Sequence, residues 1–467
     1  VDGIAQMAEY CTTAPASSRR AFIHALAHIT SRFMITALPA FALNRWNFAR
    51  LCAVCTLALI PISTAAVNIL GPLALVVMLT CREFWQEARR LQHNRTAIAA
   101  VALFLLLALS LLWGTAPSGE ALATLSKYRK LLFIPFLLML FQDGAWRRLA
   151  MQALFASLTV ILILSCTNWL GWTHVGQSYG PDPVRASWVF KHHITQGIFT
   201  ALLAYFALIV ATAHWNRVLN AERTPVAMRA ACGGVFALAM VNLFLVQQGR
   251  TGQVLIVPLL MLWGWQTFLR GRALTASRII TVIGMAIVVG ASAVAYVAHH
   301  KQSRMSEVSS EIQNYERHGD VTSTGLRLEF YRRALILISQ RPVVGYGVGS
   351  IEPQFRNMTA GQIGAYGIGS TNPHNEYLMM GVQAGALGIL ALVWLIGQAW
   401  LGSLRAPGFE GVFCAGYVAA FTIGCAANSL LLDFPEGHMF VFLVGILLSG
   451  LFANRHTPHK AGVASQP

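Results

Sequence analysis

Residues 97–114 read AIAAVALFLLLALSLLWG, an apolar run without a single charged side chain. About 20 such residues are what a helix needs to cross the hydrocarbon core of a bilayer. Only helices and closed barrels satisfy every backbone hydrogen bond in lipid, and this run lacks the period-2 alternation of a barrel strand. It therefore reads as a membrane helix, and its neighbours decide how many more there are.

Comparable runs occupy 51–64, 65–80, 122–141, 148–171, 194–213, 230–247, 252–269, 279–298, 375–400, 409–431 and 437–454. With 97–114 they predict about 12 transmembrane helices, or one fewer if the two short runs meeting at Pro61-Ile62-Ser63 count together. Composition agrees: 56% of the 467 residues are hydrophobic and 11% charged, with a mean hydropathy of +0.57. A soluble domain carries roughly a quarter charged residues. The expected fold class is all-α, a polytopic membrane protein with one large helical loop.

The predicted organisation follows from these runs. Residues 1–50 form a cytoplasmic, interfacial N-terminus without a cleavable leader, and residues 51–298 hold transmembrane helices 1–9. A large loop spans 299–374, transmembrane helices 10–12 span 375–454, and a cytoplasmic tail covers 455–467.

The net charge of +16 raises the question of a nucleic-acid partner. The basic residues lie in short connections between apolar runs, so membrane topology and anionic phospholipid explain them better, and no nucleic acid is expected. Most of the eight cysteines lie in or beside apolar runs, and Cys52-x-x-Cys55 has no second pair to complete a metal site.

Sidedness follows from the positive-inside rule. Counted from a cytoplasmic N-terminus, the even connections carry Arg82, Arg89, Arg90 and Arg95, then Arg147 and Arg148, then Arg217, Arg223 and Arg229. Arg270, Arg272, Arg278 and Arg405 continue the series, and Arg455 and Lys460 close it. Both termini are thus expected inside. Lys127, Arg129, Lys130, Arg185, Lys191 and Arg250 fall on the outer half, against the rule. Snorkelling to lipid phosphates explains one or two of these. Six across three connections imply a specific anionic partner on the outer side.

The loop's first part is polar, and a helix projecting from the membrane is expected there. A second helix follows, in which Leu328, Tyr331, Leu335 and Ile338 repeat at amphipathic spacing. Gly345-Tyr346-Gly347-Val348-Gly349 follows no strand, which excludes a dinucleotide site and leaves a tight turn at the membrane surface. The loop closes on Asn372-Pro373-His374-Asn375-Glu376-Tyr377. Asn372 suits an N-cap and Pro373 the first helical position, which places His374 in the first turn of the tenth span. A helix dipole and neighbouring arginines disfavour the imidazolium there, and a neutral imidazole is what a general base requires. Taken alone, a loop histidine is more often a hydrogen-bonding residue than a catalyst, and its place beside the inferred anion site brings the two readings level.

Gly325-Leu326-Arg327-Leu328-Glu329-Phe330, Arg341-Pro342-x-x-Gly345-Tyr346-Gly347-x-Gly349 and Asn372-Pro373-His374-Asn375-Glu376-Tyr377 together resemble the O-antigen ligase family, within the O-antigen ligase and polymerase superfamily. The hydrophobic layout matches along the whole chain. Ser126-Lys127-Tyr128-Arg129-Lys130, His193-Ile194-Thr195-x-Gly197 and Gln248-Gly249-Arg250-Thr251-Gly252 are similar in style. Asn428-Ser429-Leu430-Leu431-x-Asp433-x-x-Glu436-Gly437 leans toward the ligase branch.

The resemblance implies a GT-C-like glycosyltransferase of the bacterial inner membrane, with its active site facing the periplasm. The donor would be undecaprenyl-diphosphate-linked O-antigen and the acceptor lipid A-core oligosaccharide, the product being complete lipopolysaccharide. A diphosphate calls for arginine, which matches phosphate oxygens in pairs. Arg185, Arg250, Lys127, Arg129 and Arg327 are the candidates for that clamp. His374 would take the proton of the acceptor hydroxyl, and direct displacement would invert the anomeric centre. Glu329 is the candidate to orient or replace it, with an ion pair to Arg332 or Arg333 as the structural alternative. No D-x-D pair occurs among the five aspartates, so no metal or other cofactor is expected. An O-antigen polymerase or a protein O-oligosaccharyltransferase would use the same donor. A transporter of lipid-linked saccharide is the reading from another class. It is disfavoured because no internal repeat is visible and the charges cluster at one face.

Overall fold

The structure, a computed structural model, describes residues 44–177, 182–215, 224–247, 249–270 and 307–454, with isolated residues at 275, 277, 280 and 284. Most of the expected N-terminal segment, the expected span at 279–298 and the tail lie outside the described residues.

Among the described residues every regular element is a helix. Helices α1 (Arg45–Leu59) and α2 (Thr64–Leu79) form a hairpin, and α3 (Arg82–Ala88) belongs to a segment that turns 85° away from α2. There follow α4 (Arg95–Leu109), α5 (Ser118–Tyr128), α6 (Phe133–Leu140), α7 (Gly144–Trp169), α8 (Pro183–Ala186) and α9 (His193–Ala211). Next come α10 (Val226–Val241), α11 (Arg250–Gly264), α12 (Glu307–His318), α13 (Ser323–Gln340) and α14 (Ile351–Thr359). The chain ends on α15 (Glu376–Arg405), α16 (Gly408–Gly424) and α17 (Phe434–Asn454). Short polar side chains mark several starts. Asn94 accepts from the Thr96 and Ala97 amides, Asp143 from Ala145 and Asn375 from Leu378.

Seven described helical segments are long and apolar enough to cross a membrane: Arg95–Leu112, Gly144–Trp169, His193–Ala211, Val226–Val246, Arg250–Leu269, Glu376–Arg405 and Phe434–Phe452. The bent pair at Thr64–Leu79 and Arg82–His93 would add an eighth, and Gly408–Gly424 is shorter. The chain is therefore a multi-pass membrane protein. Helix α9 lies at the centre, 83% of its span buried against α7, α10, α11 and α16.

The span expected at 122–141 is not one helix. It is α5, a tighter turn over Arg129–Leu132, and then α6. Pro135 supplies the reason, since it lacks an N–H and its ring would collide with the Leu131 carbonyl in a continuous helix. The break also lets the buried Lys130 amine donate to the carbonyls of Leu432 and Asp433, at 3.2 and 2.6 Å.

A second break interrupts α15 at Ala384 and Gly385, where φ is −134° and +60°. The glycine run at 345–349 docks into it. Tyr346 and Gly347 donate their amides to the Val382 and Gln383 carbonyls at 2.8 Å each, and Ala386 donates to Pro342 at 2.8 Å. These bonds replace the ladder lost at the break. Gly345 has φ +64°, and a Cβ there would lie 2.5 Å from the Val382 oxygen, so only glycine fits. The expected turn is thus a plug in a broken helix.

Polar contacts sort the helix ends into two groups. At one end, Arg50 donates to the Leu140 carbonyl at 2.7 Å, Arg147 pairs with Glu410 at 2.7 Å, and Arg270 donates to the Leu404 carbonyl at 2.9 Å. At the other, Lys191 donates to Thr64, Thr115 to the Tyr346 carbonyl, and Arg250 pairs with Glu311. The motif residues gather at this second end.

Candidate active site

Four segments meet there: α13, the turn at 370–376, the link at 425–433 between α16 and α17, and the turn at Arg129–Leu132. Glu376, fully buried, accepts the backbone N–H groups of Leu431 and Leu432 at 2.7 and 3.1 Å. Its own amide donates to the Cys425 carbonyl. The buried Ser429 hydroxyl donates to Asn372 Oδ1 at 2.6 Å, and Asn375 donates to the Ala426 carbonyl at 2.8 Å. These bonds fix the 425–433 link against the turn that carries His374.

The same Asn372 oxygen accepts the backbone N–H of His374 at 2.7 Å. His374 takes φ +56°, the one positive value for a non-glycine among the described residues. Tyr331 donates its hydroxyl to the carbonyls of His374 and Ala426, at 3.2 and 3.1 Å. The imidazole stacks on Phe330, with centroids 6.1 Å apart. Burial and the nearby charge of Arg327 hold its pKa below the ordinary 6.5, so the ring is neutral at neutral pH.

The local structure differs from the expectation. His374 precedes the helix instead of lying in its first turn, because Asn375 is the cap and Glu376 the first helical residue. Asn372 cannot cap, since its oxygen is taken by His374 and Ser429. The cause assigned to a neutral imidazole therefore shifts from the dipole of that helix to burial and Arg327.

Glu329 lies at the centre of a buried ion cluster. Its oxygens accept from Arg332 at 2.7 and 2.9 Å, from Arg333 at 2.7 Å and from Tyr315 at 2.8 Å. A carboxylate offers about four acceptor sites, so these bonds use them all. Burial pushes the carboxyl up, but the hydrogen bonds outweigh it and hold the pKa below its ordinary value. Arg333 also donates to the Tyr366 and Ile368 carbonyls at 2.7 Å each, which ties the loop before His374 to α13. The alternative ion pair is thus present with both arginines: the pair with Arg333 is buried, while the Arg332 side chain is 56% exposed.

The cationic candidates fall into three groups. Arg250 pairs with Glu311 at 3.1 Å, close enough to Arg327 for each charge to affect it. Arg327 extends to Asn428 Oδ1 at 3.5 Å and is the charge that depresses His374. Lys127 and Arg129 line a cleft of about 460 Å³ with Lys130, Asn68, Asn372 and His438. Asn372 is the shared wall between that cleft and His374. Arg185 joins neither group. It is 56% exposed and pairs with Asp182 at 3.5 Å.

Sequence reading assigns no role to Glu376, Asn428 or Ser429, although each stands in a quoted motif, and it counts Lys130 only among the outer cations. A glutamate heading an apolar helix was the available signal. Glu311 and Thr324 carried none.

Residues 234–393 match the family model described as O-antigen ligase. This match covers the glycine run and His374, and it makes this segment similar to the O-antigen ligase family. An uncharacterized protein of Haemophilus influenzae is 27% identical over 273 residues, covering 57% of this chain and 63% of that protein.

Proposed function

We propose that this chain is an O-antigen ligase of the bacterial inner membrane. It transfers a glycan from undecaprenyl diphosphate to a hydroxyl of lipid A-core oligosaccharide on the periplasmic side. The observation that carries this reading is the His374 ring, uncharged at neutral pH, beside Arg327 and across Asn372 from a cationic cleft.

In the proposed step the acceptor oxygen attacks the anomeric carbon while its proton passes to the His374 imidazole. The bond from that carbon to the phosphate oxygen breaks on the opposite face, and the electron pair leaves with the diphosphate. Arg250, Arg327, Lys127 and Arg129 stabilise the charge that develops. Arg185, which touches none of them, is the outlying member of the clamp. Glu329 serves by holding Arg332, Arg333 and the turn before His374, which makes it a positioning residue. The anomeric centre inverts, and no metal takes part.

Reconstitution in proteoliposomes with an undecaprenyl-diphosphate glycan and lipid A-core tests the reading on a gel. Glycan moving onto lipid A-core supports it. Glycan lengthening on its own carrier makes the chain a polymerase, transfer to protein makes it an oligosaccharyltransferase, and crossing without transfer makes it a transporter.

A further inference from the structure

The seat around Arg250 already holds an anion, and the anion belongs to the chain. Glu311, on α12, sets its two carboxylate oxygens against Arg250 at 3.1 and 3.3 Å, the paired arrangement a guanidinium also offers to phosphate. One of those oxygens accepts the Thr324 backbone N–H at 3.0 Å and the Thr324 hydroxyl as well. Thr324 lies in the first turn of the 18-residue α13, so the carboxylate sits at a helix N-terminus, where free N–H groups and the dipole favour negative charge.

This seat offers more donors than a carboxylate uses. Arg327 stands one turn further along α13, near enough to feel both Arg250 and Glu311. It reaches Asn428, which is 2% exposed and whose amide nitrogen has no hydrogen-bond partner. A buried donor left unpaired is uncommon and costs roughly 1–3 kcal/mol. A larger anion with more oxygens would use both Arg327 and Asn428. A diphosphate is such an anion.

We propose that Glu311 is an internal stand-in for a substrate phosphate. It occupies an anion seat built by Arg250, Thr324, Arg327 and Asn428, and one phosphate of the donor displaces it. Thr324 and Asn428 thereby become diphosphate-binding residues. The inference rests on the donor assigned under the proposed function.

Displacement need not undock α12. Tyr315, one turn beyond Glu311, stays bonded to Glu329 at 2.8 Å and packed against Tyr366 with centroids 5.9 Å apart. The release is confined to the turns of α12 before Tyr315, which makes that part of the helix a latch over the seat.

Binding of undecaprenyl diphosphate to the full-length protein in nanodiscs tests this, with Glu311→Gln and Arg250→Ala as variants. Removing the internal competitor should tighten binding about tenfold in Glu311→Gln, while Arg250→Ala weakens it. In the wild type, amide exchange in α12 before Tyr315 should rise when the lipid is added, with exchange at 315–318 unchanged. If Arg250→Ala weakens binding but Glu311→Gln leaves it equal or weaker, Glu311 is a brace, and this inference falls while the donor reading stands. Unchanged exchange in the wild type overturns it in the same way. If Arg250→Ala has no effect, the donor site is misassigned and both fall.

Discussion

Asn372 Oδ1 accepts the backbone N–H of His374 at 2.7 Å and so holds a histidine at φ +56° beside α13. A non-glycine residue in this region costs roughly 1–3 kcal/mol and persists only where its surroundings over-determine it. Here they do: Ser429 fixes the Asn372 side chain, and Tyr331 holds the His374 carbonyl. The strain aims the imidazole at the face where Arg327 lies.

The first prediction concerns pH. With the His374 pKa below 6.5, the neutral ring persists into mild acid, and transfer should decline only as pH falls beneath that value. Arg327→Gln removes a positive charge that opposes protonation, so the imidazole pKa should rise. The acid limb of kcat should move upward with it, whatever happens to donor affinity. An acid limb that stays in place in Arg327→Gln would separate the two residues.

Glu329 should matter for stability more than for chemistry. Glu329→Ala leaves Arg333 buried at 1% exposure without its anion, which typically costs about 3–5 kcal/mol. Its folded pKa is depressed, so the stabilisation is present above the ordinary carboxyl value of 4.5 and disappears as pH falls below it. Thermal unfolding in detergent measures both effects. Should Glu329→Gln fold with normal stability yet lose turnover, the residue acts in the chemical step.

The glycine plug gives a third test. Gly345→Ala combines a left-handed residue with a Cβ 2.5 Å from the Val382 oxygen, and should destabilise by more than ~2 kcal/mol. Gly361→Ala, at φ +77° but facing open space, should cost only about 1–2 kcal/mol. Equal losses in an unfolding series would mean that the plug contributes nothing beyond backbone strain.

Sidedness is checked by labelling single cysteines with a membrane-impermeant reagent. Arg185→Cys should react from outside the cell and Arg405→Cys should not, since the two exposed side chains occupy opposite ends of the bundle. The reverse pattern would invert the proposed topology.

Much of this was legible in the sequence, for physical reasons. Long apolar runs such as 148–171 and 194–213 must be helices because lipid leaves no alternative, and the structure has helices there at Gly144–Trp169 and His193–Ala211. The spacing of Leu328, Tyr331 and Leu335 predicted the helix α13 but not its buried face, which runs through Gly325, Glu329, Phe330, Arg333 and Leu337 while Leu335 is exposed. Where backbone is satisfied by distant partners, reading failed. The break at Gly385 is invisible without the glycine run that fills it, and Pro135 was not weighed as a breaker beside Lys130. The sequence reading put the cap at Asn372, and the structure puts it at Asn375 because the Asn372 oxygen is taken by His374 and Ser429. Lys127, Arg129, Arg185 and Arg250 follow from sidedness and Arg327 from the loop motif, and neither signal carries information about distance. Hence the structure joins Arg250 with Arg327, and Lys127 with Arg129, while Arg185 stands apart.

The central claim is that His374 acts on the acceptor while the cations hold the donor. Single-turnover transfer and undecaprenyl-diphosphate affinity, measured side by side for wild type and His374→Ala, test it most directly. The account predicts donor affinity within a few-fold of wild type and a transfer rate lower by about 10²–10⁴. Near-full turnover would make His374 a structural residue, and lost donor binding would assign it to the diphosphate site. Either result contradicts the division of roles proposed here.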